Sequence, residues 1–285
     1  MIPNAFDYQR AGSIDEALSL IGTPGTKVIA GGMSLLPLMK LRLASPDKLV
    51  DIGRLKELKG VRQLSDGRLA IGALTTYAEL AESPARYYGL IGDALPDIGD
   101  VQVRNRGTVG GAVAHCDPAS DLPAVLLALD AEIVARSKRG EKVYRADGFF
   151  LGAFETALAE DELITEIRLI GARDDAGSAF VSMSQKASGY SIVGVAAVVI
   201  KEGGDAITRA GIALTGVGDA PYRATAVESA LVGTTGDAAT IAAAAAHATD
   251  GVTVNSDIHA DAAYRTAMAA VYTKRAIERA LGRLG

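Results

Sequence analysis

The apolar pattern of this chain changes character once, at the polar, glycine-containing segment 171–177. Before it, short strand-like runs (27–30, 49–52, 68–72, 131–136, 162–169) alternate with helix-like runs (13–21, 35–43, 76–82, 87–95, 119–129). After it, three strand-like runs near 180–185, 191–200 and 207–214 come first, and three helix-like runs at 223–231, 237–249 and 261–281 follow. Strands and helices segregated in this way belong to an α+β architecture. A length of 285 residues exceeds what one compact core needs, so two domains are expected. Ser13 reads as an N-cap, with Glu16 completing a capping box. In the last helix, Ala267, Ala270, Val271 and Ala276 are expected to pack the domain core.

Several function classes are excluded early. The formal net charge is -5, with both signs interspersed, and no basic stripe marks a nucleic-acid surface. The longest apolar run, 192–200, falls far short of the roughly 20 residues of a membrane span and reads as a buried strand. The first residues lack the basic and apolar regions of a signal peptide, so the chain reads as cytoplasmic. Cys116 is the single cysteine. It cannot form an intrachain disulfide, and an iron–sulfur cluster needs more thiolates than this chain has. The three histidines, His115, His247 and His259, are scattered, and no metal site is expected.

Two glycine-rich segments stand out. Ala30-Gly31-Gly32-Met33-Ser34 lies between a strand and a helix, where glycines admit close backbone approach and positive φ. Helix N-termini and backbone N–H nests hold anions. The same segment also reads as an ordinary tight turn with Ser34 as N-cap. The second segment, Arg106-Gly107-Thr108-Val109-Gly110-Gly111-Ala112, runs on to Asp117-Pro118-Ala119-Ser120-Asp121. There Asp121 suits a sugar hydroxyl, and Asp117 or Ser120 suits helix capping. Two such segments would hold a nucleotide pyrophosphate without lysine or arginine. Neither matches Gly-x-Gly-x-x-Gly. Asp130 stands where a Rossmann ribose acid would, but the middle glycine is missing and Asp117-Pro118 interrupts the helix.

Together these stretches, with Lys40-Leu41-Arg42-Leu43-Ala44, Arg104-Asn105, Gly211 to Gly218 and Tyr264-Arg265, resemble the FAD-binding medium subunit of molybdenum hydroxylases. That family includes aerobic carbon monoxide dehydrogenase and relatives of xanthine dehydrogenase, and the resemblance covers essentially the whole chain. It implies an FAD-binding domain of the vanillyl-alcohol oxidase (PCMH) type over 1–172, built of two α+β subdomains. A C-terminal domain over 176–285 would combine a three-stranded antiparallel sheet with helices. FAD would lie between them. Ala30, Gly31, Gly32, Met33 and Ser34, with Thr108, Val109, Gly110, Gly111 and Ala112, would hold the pyrophosphate and approach the flavin. Asp121 would take the ribityl or ribose side, and Ile164 would sit near the isoalloxazine or adenine. Tyr190 falls where relatives place a residue beside the flavin ring, although it also reads as a core aromatic at the start of a strand. Lys186 would preserve one positive charge there, where relatives carry a longer basic run; Gly189 replaces a common Asp, and Ala112 a common Asn. The implied function is electron transfer, from the iron–sulfur clusters of a small subunit through FAD to an external acceptor. A molybdopterin large subunit would complete a heterotrimer or its dimer and oxidise the substrate. No catalytic residue is expected here. A stand-alone flavin oxidase of the same superfamily is the alternative. It needs a substrate cavity with an acid or base, which the sequence does not display.

Overall fold

The computed structural model describes residues 2–171 and 173–284; position 172, the expected end of the first domain, lies outside the described residues. The chain begins with a small unit: β1 (Asp7–Arg10), α1 (Ile14–Leu20), β2 (Thr26–Ile29), α2 (Leu35–Lys40) and β3 (Lys48–Asp51). Its strands form a parallel sheet in the order β1-β3-β2. The Ser13 hydroxyl caps α1 by accepting from the Glu16 N–H at 3.1 Å. The Glu16 carboxylate reaches back to the N–H of Gly12, one residue earlier than a capping box requires. The full box occurs instead at Thr76 and Glu79. Pro37 sits in the first turn of α2, where it costs no hydrogen bond. That helix stops at Lys40, before Arg42 takes a positive φ of 61°.

The second unit holds β4 (Val61–Gln63), β5 (Leu69–Gly72), α3 (Tyr77–Ala81), α4 (Gly89–Ala94), α5 (Val101–Arg106), α6 (Val109–His115) and α7 (Asp121–Ala128). It continues with β6 (Glu132–Ser137), β7 (Gly140–Arg145), a small hairpin of β8 (Phe150–Gly152) and β9 (Glu155–Thr156), and β10 (Leu163–Leu169). Five of its strands form an antiparallel sheet, β4-β5-β10-β6-β7. Helix α7 is buried on every side, as its unbroken run Leu122 to Ala128 requires.

The C-terminal unit is a meander of β11 (Ala176–Ser184), β12 (Ser191–Ile200) and β13 (Arg209–Thr215), as the sequence indicates, extended by the two-residue β14 (Tyr222–Arg223). Helices α8 (Thr225–Leu231), α9 (Ala238–Ala245) and α10 (Ala262–Leu281) follow. The expected core face of α10 is out of phase. Only Ala276 of the four residues is buried, while Ala267 is exposed and Val271 is 37% exposed. The true stripe is Arg265, Ala269, Thr273, Ala276, Ile277 and Ala280. It includes an arginine and a threonine that hydropathy alone assigns to solvent.

The first and last parts of the chain share a seam. Phe180, Ala196 and Ala213 belong to the same apolar cluster as Leu90, Ile91 and the α7 side chains. Two aspartates clamp this seam. Asp93 of α4 accepts from Arg279 and Arg283 of α10 at 2.7 and 2.6 Å and from the Phe180 N–H. Asp130, which follows α7 with a positive φ of 50°, pairs with Arg209 and Arg223. Asp130 is thus part of the domain junction and has no ribose-binding position.

Candidate cofactor site

The two glycine segments meet backbone to backbone. A Cβ placed on Gly31 would stand 1.9 Å from the Arg106 carbonyl oxygen and 3.2 Å from the Gly107 Cα. Only glycine permits this approach. Gly32 has a φ of +77°, the left-handed conformation that also favours glycine. Among the described residues, none of the five consecutive backbone N–H groups from Gly31 to Leu35 has an acceptor. The Ser34 side chain makes no cap bond to α2. The ordinary-turn reading is therefore not what the structure shows: the donors that a tight, capped turn would satisfy are left open, and open N–H groups beside a left-handed glycine suit an anion.

A cleft of about 250 Å³ opens beside this loop at the C-terminal edge of the parallel sheet, lined by Tyr8, Arg10, Ala30, Asp51, Arg54 and Arg106 among others. Arg10 is engaged by Asp51 and by the Tyr8 hydroxyl. Arg54 and Arg106 have no carboxylate partner among the described residues, so the cleft is net positive near Ala30. Reading the sequence alone picks out Arg106 with the second glycine segment but misses Arg10 and Arg54, because the three come from separate segments and no local window contains them.

The second segment behaves differently. Thr108 is the N-cap of α6 and accepts from the Gly111 N–H at 3.2 Å. The N–H of Val109 goes to the Thr75 carbonyl and that of Gly110 to the Ala73 carbonyl. The first donors of α6 are thus consumed within the protein, and this segment offers a ligand surface rather than free N–H groups. Gly110 is buried, and a Cβ there would lie 2.6 Å from the Cβ of Ala73. Gly111 is exposed, and a Cβ there meets only the Thr108 hydroxyl. The pair divides its work: Gly110 packs the helix, and Gly111 keeps its outer face clear. Ala112 is half-buried beside it.

Asp121 is the first residue of α7 but caps nothing. It is 4% exposed, and one carboxylate oxygen accepts from the Ser191 hydroxyl at 2.6 Å. Burial pushes its carboxyl up to about 7, with Asp97 and Asp117 adding and the Ser191 bond opposing. Asp117 caps the Ala119 N–H. Tyr190 is 49% exposed; burial of its phenol, then Asp117 nearby, raises its proton affinity. It is not a core aromatic.

The C-terminal sheet grips the 117–121 loop directly. The Thr215 hydroxyl donates to the carbonyls of Pro118 and Ser120 at 2.9 and 2.8 Å, and the Gly216 N–H donates to Pro118 at 2.8 Å. Arg265 explains why an arginine is buried in α10. Its guanidinium donates to the carbonyls of Ile192, at 2.7 Å, and of Gly216, and to Asp257 at 2.6 Å. It ties the ends of β12 and β13 together where they hold Ser191 and Thr215.

Contacts therefore link Gly31 to Gly107 and Gly107 to the Tyr77 ring, and separately Asp121 to Ser191, next to Tyr190. Two sequence-derived positions stand outside these contacts. Ile164 is 3% exposed inside the core of the second unit, at a bulge of β10. Lys186 is exposed on the turn between β11 and β12. Among the described residues no group of three or more His, Cys, Asp or Glu side chains could hold a metal. No helix is long and apolar enough to cross a membrane.

Comparison with known proteins fits this arrangement. The family of the FAD binding domain in molybdopterin dehydrogenase matches residues 4–169, and that of the CO dehydrogenase flavoprotein C-terminal domain matches residues 178–280. The carbon monoxide dehydrogenase medium chain of Hydrogenophaga pseudoflava is 39% identical over 288 residues, covering 99% of each chain. The 6-hydroxypseudooxynicotine dehydrogenase complex subunit alpha of Paenarthrobacter nicotinovorans is 37% identical, covering 99% of this chain and 97% of its own. A solved structure of the Hydrogenophaga carbon monoxide dehydrogenase superposes with a TM-score of 0.96 over 100% of both chains. The relatives act on unlike substrates at nearly equal similarity, so likeness does not select a substrate. Open N–H groups beside a positive cleft and a cleared helix face fit a dinucleotide, and the chain belongs to the FAD-binding medium-subunit family of the molybdenum hydroxylases, as an oxidoreductase subunit.

Proposed function

We propose that this chain is the electron-transfer subunit of a molybdenum hydroxylase. The observation that carries the reading is the row of unpartnered N–H groups at 31–35 set against a second glycine segment, in a chain with no group of three or more His, Cys, Asp or Glu that could hold a metal among the described residues. In this reading the division falls between a PCMH-type domain, 1–172, and a flavoprotein C-terminal domain, 176–285. The N–H groups of Gly31, Gly32, Met33 and Ser34 bind the pyrophosphate beside Ala30, with Arg54 and Arg106 adding positive charge. Thr108, Val109 and Gly110 build the helix start that presents Gly111 and Ala112 to the cofactor. Asp121, steadied by Ser191, takes a ribityl or ribose hydroxyl. Tyr190 and Lys186 lie at the flavin edge, and Ile164 backs the pocket from the core.

When bound, FAD supplies the redox chemistry, accepting electrons from the iron–sulfur clusters of a small subunit and passing them to an external acceptor. Substrate oxidation belongs to a molybdopterin large subunit, in a heterotrimer or its dimer. The isolated chain should hold FAD yet show no flavin bleaching with an aldehyde, a purine or carbon monoxide under anaerobic conditions. Adding both partner subunits should restore substrate-dependent bleaching. Rapid bleaching of the lone chain would overturn the subunit reading in favour of a self-sufficient oxidase.

The FAD is held without a covalent bond. No histidine, cysteine or tyrosine stands within 30–34, and Cys116, the chain's one thiol, is buried with its thiol pushed up to about 11 by burial. Acid precipitation should leave all the flavin in the supernatant; yellow colour remaining with the pellet would contradict this.

A further inference from the structure

Tyr77 opens α3, and its ring lies against the second glycine segment: a Cβ on Gly107 would come within 2.8 Å of the ring edge. The side chain is 94% buried, since its exposure is only 6%. Its backbone N–H is satisfied by the Gly107 carbonyl at 3.1 Å. Its hydroxyl has no hydrogen-bond partner among the described residues. A tyrosine hydroxyl with no protein partner keeps both its donor and its acceptor capacity free for a ligand. The fully enclosed polar atoms without partners are Arg265 Nε and Thr273 Oγ1, both on α10. The Tyr77 hydroxyl is not sealed off as they are, so it reaches an opening. Burial dominates the environment of the phenol, and the titratable groups close enough to act on it are Asp121 and Tyr190, two of the residues expected at the cofactor.

We infer that Tyr77 is a cofactor-binding residue whose hydroxyl hydrogen-bonds an oxygen of the ribityl–phosphate part of FAD. The ring packs against the Gly107 backbone, and the hydroxyl itself has no side-chain partner among the described residues. The ring already serves the core, so the hydroxyl's purpose is separable from the packing. The inference rests on the proposed placement of FAD against the two glycine segments, and its test keeps the two apart.

The test is Tyr77→Phe in the full chain, with the thermal midpoint of the FAD-free protein and the dissociation constant for FAD measured side by side with the native chain. Removing an unsatisfied hydroxyl should leave the FAD-free midpoint unchanged or raise it. The same change should weaken FAD roughly tenfold, one hydrogen bond's worth. Tyr77→Leu, which also removes the ring from Gly107, should lower the midpoint as well and so separates packing from bonding. An FAD affinity within about twofold of native in Tyr77→Phe would overturn the inference while leaving the site intact. A midpoint that falls in Tyr77→Phe would also overturn it, by showing that the hydroxyl has a partner inside the protein. Failure of the native chain to bind FAD would overturn the underlying placement, and this inference with it.

Discussion

Gly31→Val should lose both FAD and much stability, whereas Gly111→Val should lose FAD for no more than the cost of disturbing the Thr108 cap, about 0.5–2 kcal/mol. At Gly31 the new Cβ meets a backbone carbonyl oxygen at 1.9 Å, which no rotamer change can relieve. Overpacking of a rigid site costs about 1–3 kcal/mol or more, and here the strained contact joins the first glycine turn to the segment before α6. Separating them also disperses the open N–H groups. At Gly111 the nearest protein atom is the hydroxyl of Thr108, the buried N-cap of α6, at 2.7 Å; Gly111 itself lies on the exposed face of the helix. The valine there projects into the space the cofactor needs. The denaturation midpoint and the flavin-to-protein ratio check both variants. A Gly31→Val protein with the native midpoint, or a Gly111→Val protein with full flavin, would refute the assignment.

Arg265→Ala should be among the most damaging changes in the C-terminal domain. It strips the donors from the buried Gly216 carbonyl and the part-buried Ile192 carbonyl, at a cost of about 1–3 kcal/mol for an acceptor left unpaired away from water. Asp257 loses its partner too, but its side chain is 47% exposed and rehydrates. The consequence reaches the cofactor, because the freed strand ends are those that carry Ser191 to Asp121 and Thr215 to the 117–121 loop. Arg265→Lys should recover little: a single ammonium cannot serve the separated acceptors that the planar fork of guanidinium donors serves together. Chemical denaturation and FAD affinity should fall together in Arg265→Ala. Native FAD affinity in a folded Arg265→Ala protein would show that the strand ends do not position the loop.

Local chemistry made much of this molecule readable. Strand–turn–helix order, the meander at β11 to β13 and the glycine segments follow from apolar periodicity and from what glycine alone permits. What escaped notice depends on tertiary contact. The segment 107–111 reads as a second loop, yet Gly110 and Gly111 lie inside α6, because Thr108 caps the helix and Ala73 closes over Gly110. Helix α5 is short, and its residues are polar or exposed, so no apolar stripe announces it. Arg265 and Thr273 look solvent-facing in sequence, and only the carbonyls of β12 and β13 explain why an arginine turns inward. Arg10, Arg54 and Arg106 converge only in three dimensions. Tyr77 carries no local signal at all: an unpaired hydroxyl is visible only once everything around it has been placed.

The paired clamps at Asp93 and Asp130 bear on how the two parts of the chain move. Each aspartate is about nine-tenths buried at its side chain and is held by two arginines from the C-terminal domain. Phe180, Ala196 and Ala213 fill the space between them. A seam fixed in this way has no obvious hinge. Separating the two parts of the chain therefore requires ion pairs and apolar packing to give way together, so the loop 117–121 and the strand ends that hold it move as one piece.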